Sequence, residues 1–345
     1  MIQFYKPTIK RKDMDSVLQT MVNEEIGPGK ISRDFVAAFC EEVKATTGAA
    51  YRTYPDCLSA ALTLMGARKG VRVAVSPLSP AIYRTVIENL GAEMVLVDVD
   101  KDTGCPNDSL VADSGAEILM LYENFGTLPA RYNEQTTFAE SCDYSSVKVI
   151  EDITESIGSC IKDEVRAGSA GKIIVCAFEE DSVLSAGGGA VMAVRGEYVT
   201  ALRGKGPSKY LKMPDMNAAL GSVQLANLSQ NCEKRREMLK SYQQSLAKTK
   251  HRQFGLSLLD LTSNAGFFAV HLDSRPDDTV KFAARHNVPV QMAFEDSILK
   301  DLEGDPFEVA PVAASFYYRT VRFPLYSFLR GSEVEDISRV IAHLP

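Results

Sequence analysis

The segment Val147-Lys-Val-Ile-Glu-Asp-Ile-Thr-Glu-Ser-Ile-Gly158 decides how the chain is read. Its opening, Val147–Ile150, is rich in β-branched residues, which pack well on a pleated surface. Such a run, apolar rather than alternating, predicts a strand covered on both faces, as in a mainly parallel sheet. The run ends on two acidic residues, so Asp152 stands at the carboxyl end of a strand. Open α/β sheets place their ligands at that edge. A turn or helix-capping aspartate is the plainer account of the same residue.

Working outward, similar runs recur at Arg72–Ser76, Met94–Val97, Ile118–Leu121, Ile173–Phe178 and Ala190–Val194. Helical patterns lie between and before them, such as Asp34–Ala45, and Ile82–Leu90 closed by Gly91. Glycine suits the position just past a helix end. Alternating strands and helices predict a layered α/β domain. One long helix is expected from Met216 to Ala247, apolar in its first half and charged in its second. A helix that starts buried and ends wet can leave one domain and enter another. We therefore expect a large domain over residues 1–230 and a smaller C-terminal α+β domain over 231–345. Its last helix is expected to open at Ser332, with Glu335 completing a capping box.

Composition narrows the classes of function. The 345 residues are 45% hydrophobic and 24% charged, ordinary for a globular protein with a sizeable core. The formal charge of -7 supplies no basic excess to neutralise phosphates, which argues against nucleic-acid or anionic-membrane partners. No apolar run approaches a membrane span. The start, Met1-Ile-Gln-Phe-Tyr-Lys6, has no leader-like apolar stretch behind it. The cysteines at 40, 57, 105, 142, 160, 176 and 232 form no metal-ligand spacing. A cytoplasmic protein with reduced, structural thiols and no metal is expected. The four histidines all follow residue 250 and read as packing or surface groups. Gly187-Gly188-Gly189 lacks the residues of a phosphate loop and reads as a turn between strands.

Seven motifs in order resemble the DegT-type (StrS-like) sugar aminotransferases, a branch of the type I pyridoxal-phosphate enzymes. They are Ile26–Phe35, Gly91–Asp100, Asn124–Pro129, Val149–Gly158, Phe178–Gly189, Asn217–Leu225 and Phe323–Tyr326. The resemblance spans nearly the whole chain. It implies a three-layer type I aminotransferase-like fold with a mainly parallel central sheet. It also implies five provisions for the cofactor: a Schiff-base lysine, an aspartate on the pyridinium nitrogen, a stacking aromatic, a phosphate cradle at a helix start, and a partner subunit's asparagine.

Set on this sequence, most of those provisions are missing. The lysine position holds Ser182, whose hydroxyl cannot form an imine. The phosphate turn falls on Tyr54 and Pro55, and proline has no N–H to give. The stacking position is Pro80, and the small hydroxyl residue before the family's phenylalanine is Ala177. The partner's asparagine falls on Tyr210 and a neighbouring arginine on Lys212. Only Asp152 matches its expected role, with Glu155 three residues on. Glu179, Glu180 and Asp181 add negative charge where the family is neutral, although charge runs are usually solvated loops.

Three functions follow as alternatives. The first is a degenerate, cofactor-free homologue with a binding, scaffold or regulatory role linked to nucleotide sugars. The second is an active pyridoxal-phosphate aminotransferase using another lysine, such as Lys172, Lys205, Lys209 or Lys212. The third is unrelated chemistry in the old cleft, carried by Glu155, Glu179, Glu180 or Asp181. No cofactor is expected under the first and pyridoxal phosphate under the second. The expected partners are a second copy, or an active paralogue in a heterodimer, and a sugar-nucleotide ligand.

Overall fold

A computed structural model describes residues 2–133, 147–162, 165–204, 206–255 and 261–345. Cys142 and Lys205 lie outside the described residues. In chain order the elements begin α1 (Arg11–Val22), α2 (Lys30–Glu42), β1 (Thr47–Tyr51), α3 (Tyr54–Met65), β2 (Arg72–Val75), α4 (Ile82–Asn89) and β3 (Glu93–Leu96). Next come α5 (Asp108–Asp113), β4 (Ile118–Tyr122), β5 (Lys148–Asp152), β6 (Cys160–Ile161), β7 (Val165–Arg166), β8 (Ile173–Ala177) and β9 (Ala190–Val194). Then follow α6 (Tyr198–Gly204), α7 (Asp215–Ala226), α8 (Leu228–Leu246), β10 (Arg252–Gln253), β11 (Leu261–Thr262) and β12 (Phe268–His271). The chain closes with α9 (Pro276–Arg285), β13 (Gln291–Met292), α10 (Pro306–Val309), α11 (Pro311–Arg319), β14 (Thr320–Phe323) and α12 (Gly331–Ile341).

Seven strands form the central sheet in the order β1-β9-β8-β5-β4-β2-β3. The pairings from β3 through β8 are parallel, and β9 joins β8 and β1 antiparallel. Successive residues of a strand point to opposite faces. Accordingly Leu119, Leu121, Val149 and Ile174 enter one core with Phe35 and Phe39 of α2. Ile118, Met120, Ile150 and Val175 enter another with Leu58 and Leu62 of α3. Helices on both faces of a mainly parallel sheet make three layers, the arrangement expected of a type I aminotransferase-like fold. On β5 the same alternation separates two neighbouring carboxylates: Glu151 belongs to the α2 side and Asp152 to the α3 side. A second sheet, β10-β12-β14-β13, shares a core with α8, α9 and α12 through Tyr242, Phe268, Val321 and Ile337.

Several sequence expectations need correction. The helix expected from Asp34 begins four residues earlier, because Asp215 reaches it from far along the chain. Its carboxylate accepts the N–H groups of Gly29 (2.8 Å), Ile31 (3.1 Å) and Ser32 (2.9 Å), satisfying donors that a helix start leaves open. A Cβ on Gly29 would lie 2.7 Å from Asp215 Oδ2, so only glycine allows this approach. The long helix 216–247 is two helices, α7 and α8, meeting at Asn227. There the side-chain amide of Asn227 donates to the Val223 carbonyl at 2.7 Å and ends α7. The wet half of α8 is not wholly wet: Arg235 is only 1% exposed, and its Nε and Nη1 lack hydrogen-bond partners among the described residues. The last helix opens at Arg330 with Glu333 as its third residue, rather than at Ser332 with Glu335; the Arg330 N–H donates to Glu333 at 2.8 Å. Strand β1, Thr-Gly-Ala-Ala-Tyr, carries too little β-propensity to be read from sequence and forms by pairing with β9.

Gly187, Gly188 and Gly189 all have positive φ and lie in the loop between antiparallel β8 and β9. At Gly189 a Cβ would also meet the Met213 side chain at 2.6 Å. Among the described residues no helix is long and apolar enough to cross a membrane, and no cluster of side chains could hold a metal.

Candidate functional site

The site is built on Asp152, which is fully buried at the carboxyl end of β5. A carboxylate has two acceptor positions on each oxygen. Oδ1 accepts the Thr154 N–H at 3.0 Å and the Thr154 hydroxyl at 2.5 Å. The N–H bond closes a turn two residues on, as the plainer account of Asp152 anticipated. Oδ2 accepts the Tyr83 hydroxyl at 2.8 Å and the Tyr54 hydroxyl. All four acceptor positions are therefore taken by protein donors.

Local sequence explains how the two phenols arrive. Thr53 caps α3, its Oγ1 accepting from the Asp56 N–H at 3.3 Å, and Tyr54 and Pro55 open the first turn. Proline is tolerated there because the first N–H groups of a helix have no partner within it. Tyr54 thus projects from the start of α3 over the edge of β5. Tyr83 sits in the first turn of α4, at the same sheet edge. Its ring meets Tyr122 edge-on, with centroids 6.1 Å apart.

The Asp152 pKa is raised, chiefly by burial, and the hydrogen bonds from Thr154, Tyr54 and Tyr83 offset only part of that rise. Both phenols are pushed well above their ordinary value, first by burial and then by the Asp152 charge. They therefore keep their protons and act as donors.

The other predicted residues are more dispersed. The Ala177 N–H donates to the Thr154 hydroxyl at 3.0 Å and so props the Asp152 turn. Glu155 accepts the Phe125 N–H at 2.9 Å. Its carboxyl is raised to about 7, chiefly by burial and against the pull of Arg322. Ser182 is buried in the β8–β9 loop, and its carbonyl accepts the Tyr5 hydroxyl at 3.2 Å. Pro80 precedes α4 and pairs with Ser297 in an isolated bridge to the C-terminal half. Tyr210 is 74% exposed, and its carbonyl accepts from Arg52 Nε at 3.2 Å. Glu179, Glu180 and Asp181 are exposed, as a solvated loop would be.

Comparison with known proteins decides the family. The DegT/DnrJ/EryC1/StrS aminotransferase family profile matches residues 7–344. The protein belongs to that family. Among its relatives is a Campylobacter jejuni UDP-4-amino-4,6-dideoxy-N-acetyl-beta-L-altrosamine transaminase, 23% identical over 73% of this chain and 71% of the relative. A Saccharopolyspora spinosa dTDP-4-dehydro-2,3,6-trideoxy-D-glucose 4-aminotransferase is 23% identical over 98% of this chain and 95% of its own. In structure, the chain is similar to the aminotransferase TlmJ from Streptoalloteichus hindustanus, with a TM-score of 0.86 at 22% identity over 99% and 98% of the two chains.

DegT-family chemistry runs on pyridoxal phosphate, and the residues around Asp152 do not fit it. A pyridinium N–H needs a free acceptor on this aspartate, and Tyr54 and Tyr83 already fill Oδ2. At the start of α3, Pro55 offers no N–H, and the Asp56 carboxylate stands in the first turn, where a phosphate would meet its charge. Sequence reasoning placed Tyr54 here as bulk and did not see its hydroxyl at work. It missed Tyr83 and Thr154 altogether. Thr154, two residues past Asp152, carried the usual signal of an aspartate turn; Tyr83 carried none.

Proposed function

We propose that this chain is a catalytically silent DegT-family protein that works without pyridoxal phosphate. Its role is one of binding, scaffolding or regulation linked to nucleotide-sugar metabolism, in the cytoplasm. The observation carrying this reading is the saturation of Asp152 by Tyr54, Tyr83 and Thr154. The family-lysine position supports it, since Ser182 cannot form an imine. The relatives' names favour the alternative, an active aminotransferase of nucleotide-linked keto-sugars. That reading requires both another amine and a vacated Asp152.

Borohydride reduction in the presence of pyridoxal phosphate separates the two readings. Mass spectrometry is expected to find no stoichiometric pyridoxyl-lysine. One fully labelled lysine would establish the alternative.

We also propose that the chain pairs with a second copy of itself. Met14, Leu18, Met21 and Val22 of α1, and Ile26 beyond it, are each more than half exposed, an apolar stripe that a soluble monomer avoids. Sedimentation at micromolar concentration is expected to give a dimer, and a clean monomer would count against it.

A further inference from the structure

The misfit with pyridoxal phosphate has a positive content. The Tyr54 ring does not merely obstruct Asp152; it makes the contact an aromatic ligand would make there. Its hydroxyl donates to a fully buried carboxylate, alongside the Tyr83 hydroxyl at 2.8 Å on the same oxygen. The ring also packs against the α3-side core that holds Tyr83, Tyr122 and Ala177. A planar ring with an N–H or O–H donor aimed at Oδ2 is the chemical class that fits this position.

We infer that Tyr54 is an internal ligand: the protein keeps an aromatic-donor binding site at Asp152 and fills it with its own side chain. This rests on the cofactor-free reading and explains how the fold tolerates that state. An aspartate buried without donors would cost several kcal/mol or take up a proton. Filling the site from within gives the carboxylate permanent partners. It also predicts a receptor that no ligand reaches in the native chain and that one substitution uncovers. The ligand class is small, planar and aromatic, with one hydrogen-bond donor: a phenol or a pyridinium.

Tyr54→Ala removes the ring and leaves Asp152 Oδ2 with Tyr83 alone. The melting temperature is expected to fall by roughly 5–10 °C, from the loss of a partly buried aromatic ring and of a hydrogen bond to a buried carboxylate. Millimolar p-cresol, the missing side chain itself, is expected to restore several degrees, since a ligand that binds only the folded state stabilises it. The 4-methylpyridinium ion should do the same, and toluene, which has no donor, should do less. None of the three should move the wild type. Should the alanine variant fail to fold, the yield on refolding with and without p-cresol becomes the readout, and an increase is expected. Tyr54→Phe, which keeps the ring and loses the donor, should melt between the wild type and the alanine variant.

A Tyr54→Ala protein that melts with the wild type, or that no probe stabilises or helps to refold, overturns the internal-ligand assignment. Equal rescue by toluene also overturns it, because the site would then be an apolar cavity only. Each of these results leaves the cofactor-free reading standing. That reading fails separately, if borohydride labels a lysine of the wild type.

Discussion

Ser182→Lys alone is expected to form no imine with added pyridoxal phosphate. The substitution returns an amine to the β8–β9 loop and changes nothing at Asp152. The Tyr54 and Tyr83 hydroxyls still fill Oδ2, and Pro55 still withholds an N–H from the start of α3. The acidic neighbours 179–181 add a smaller effect: they favour the charged amine and make the neutral, imine-forming form scarcer. All three residues are exposed, so water and salt screen much of that effect. The Tyr54 contact is the larger obstacle, because a hydrogen bond to a buried charge must be surrendered before any ring can enter. Such bonds contribute about 1.5–3 kcal/mol each, and the missing phosphate donor adds a similar loss. We therefore expect Ser182→Lys/Tyr54→Gly/Pro55→Thr to bind the cofactor at least ~100-fold more tightly than Ser182→Lys, which corresponds to about 3 kcal/mol. Titration followed by the absorbance of the imine measures both. If the single variant binds as tightly as the triple one, Tyr54 and Pro55 are bystanders and the site is one residue from loading.

The largest effect on stability is expected at Glu151, the neighbour of Asp152 that points the other way. It is fully buried and accepts from the Tyr132 hydroxyl at 2.5 Å, the Gly168 N–H at 2.5 Å and the Gly171 N–H at 2.6 Å. These bonds hold the 168–171 turn that leads into β8, whose far end carries the Ser182 loop. Glu151→Ala strands the Gly168 and Gly171 N–H groups inside the protein and takes one partner from the Tyr132 hydroxyl. Each unsatisfied buried donor costs about 1–3 kcal/mol, and the two share one carboxylate, so a total of roughly 2–4 kcal/mol is expected rather than the simple sum. Glu151→Gln keeps an acceptor oxygen and should lose less than half as much. Urea unfolding of both variants tests this, and a Glu151→Ala loss below about 1 kcal/mol would show that the 168–171 turn holds itself. Glu123 gives an independent check. Its carboxyl is raised well above the ordinary range, chiefly by burial and then by the Glu151 charge. Removing Glu151 should relieve part of that upward shift, which a pH titration of Glu123 by carbon NMR would detect as a fall.

Much of the fold was legible because a sheet buried on both faces writes itself as apolar runs. Six of the seven central strands were placed within two residues. The stretch around β1 was not, because glycine and alanine carry little pattern and the strand exists only through its pairing with β9. The helix break at Asn227 was missed for a related reason: the helical period runs on unchanged, while a single side-chain amide ends the backbone ladder. The true opening of the last helix at Arg330 was passed over because Ser332 offers the commoner capping residue, whereas the bond is made by Glu333 to the Arg330 N–H.

For the site, the sequence by itself determined which groups are present and on which side of the sheet they fall. No lysine stands at 182, no N–H is available at Pro55, and the period of two along β5 sends Asp152 and Glu151 to opposite layers. It also carried the aspartate turn, since Thr154 lies only two residues on. What only the tertiary structure decided is who reaches Asp152 from elsewhere. Tyr54 lies 98 residues away in sequence and Tyr83 lies 69 away, and nothing in their own neighbourhoods marks them as partners of a carboxylate. Their meeting depends on where α3 and α4 begin relative to the end of β5. Those positions are set by packing across the sheet, which no local pattern records.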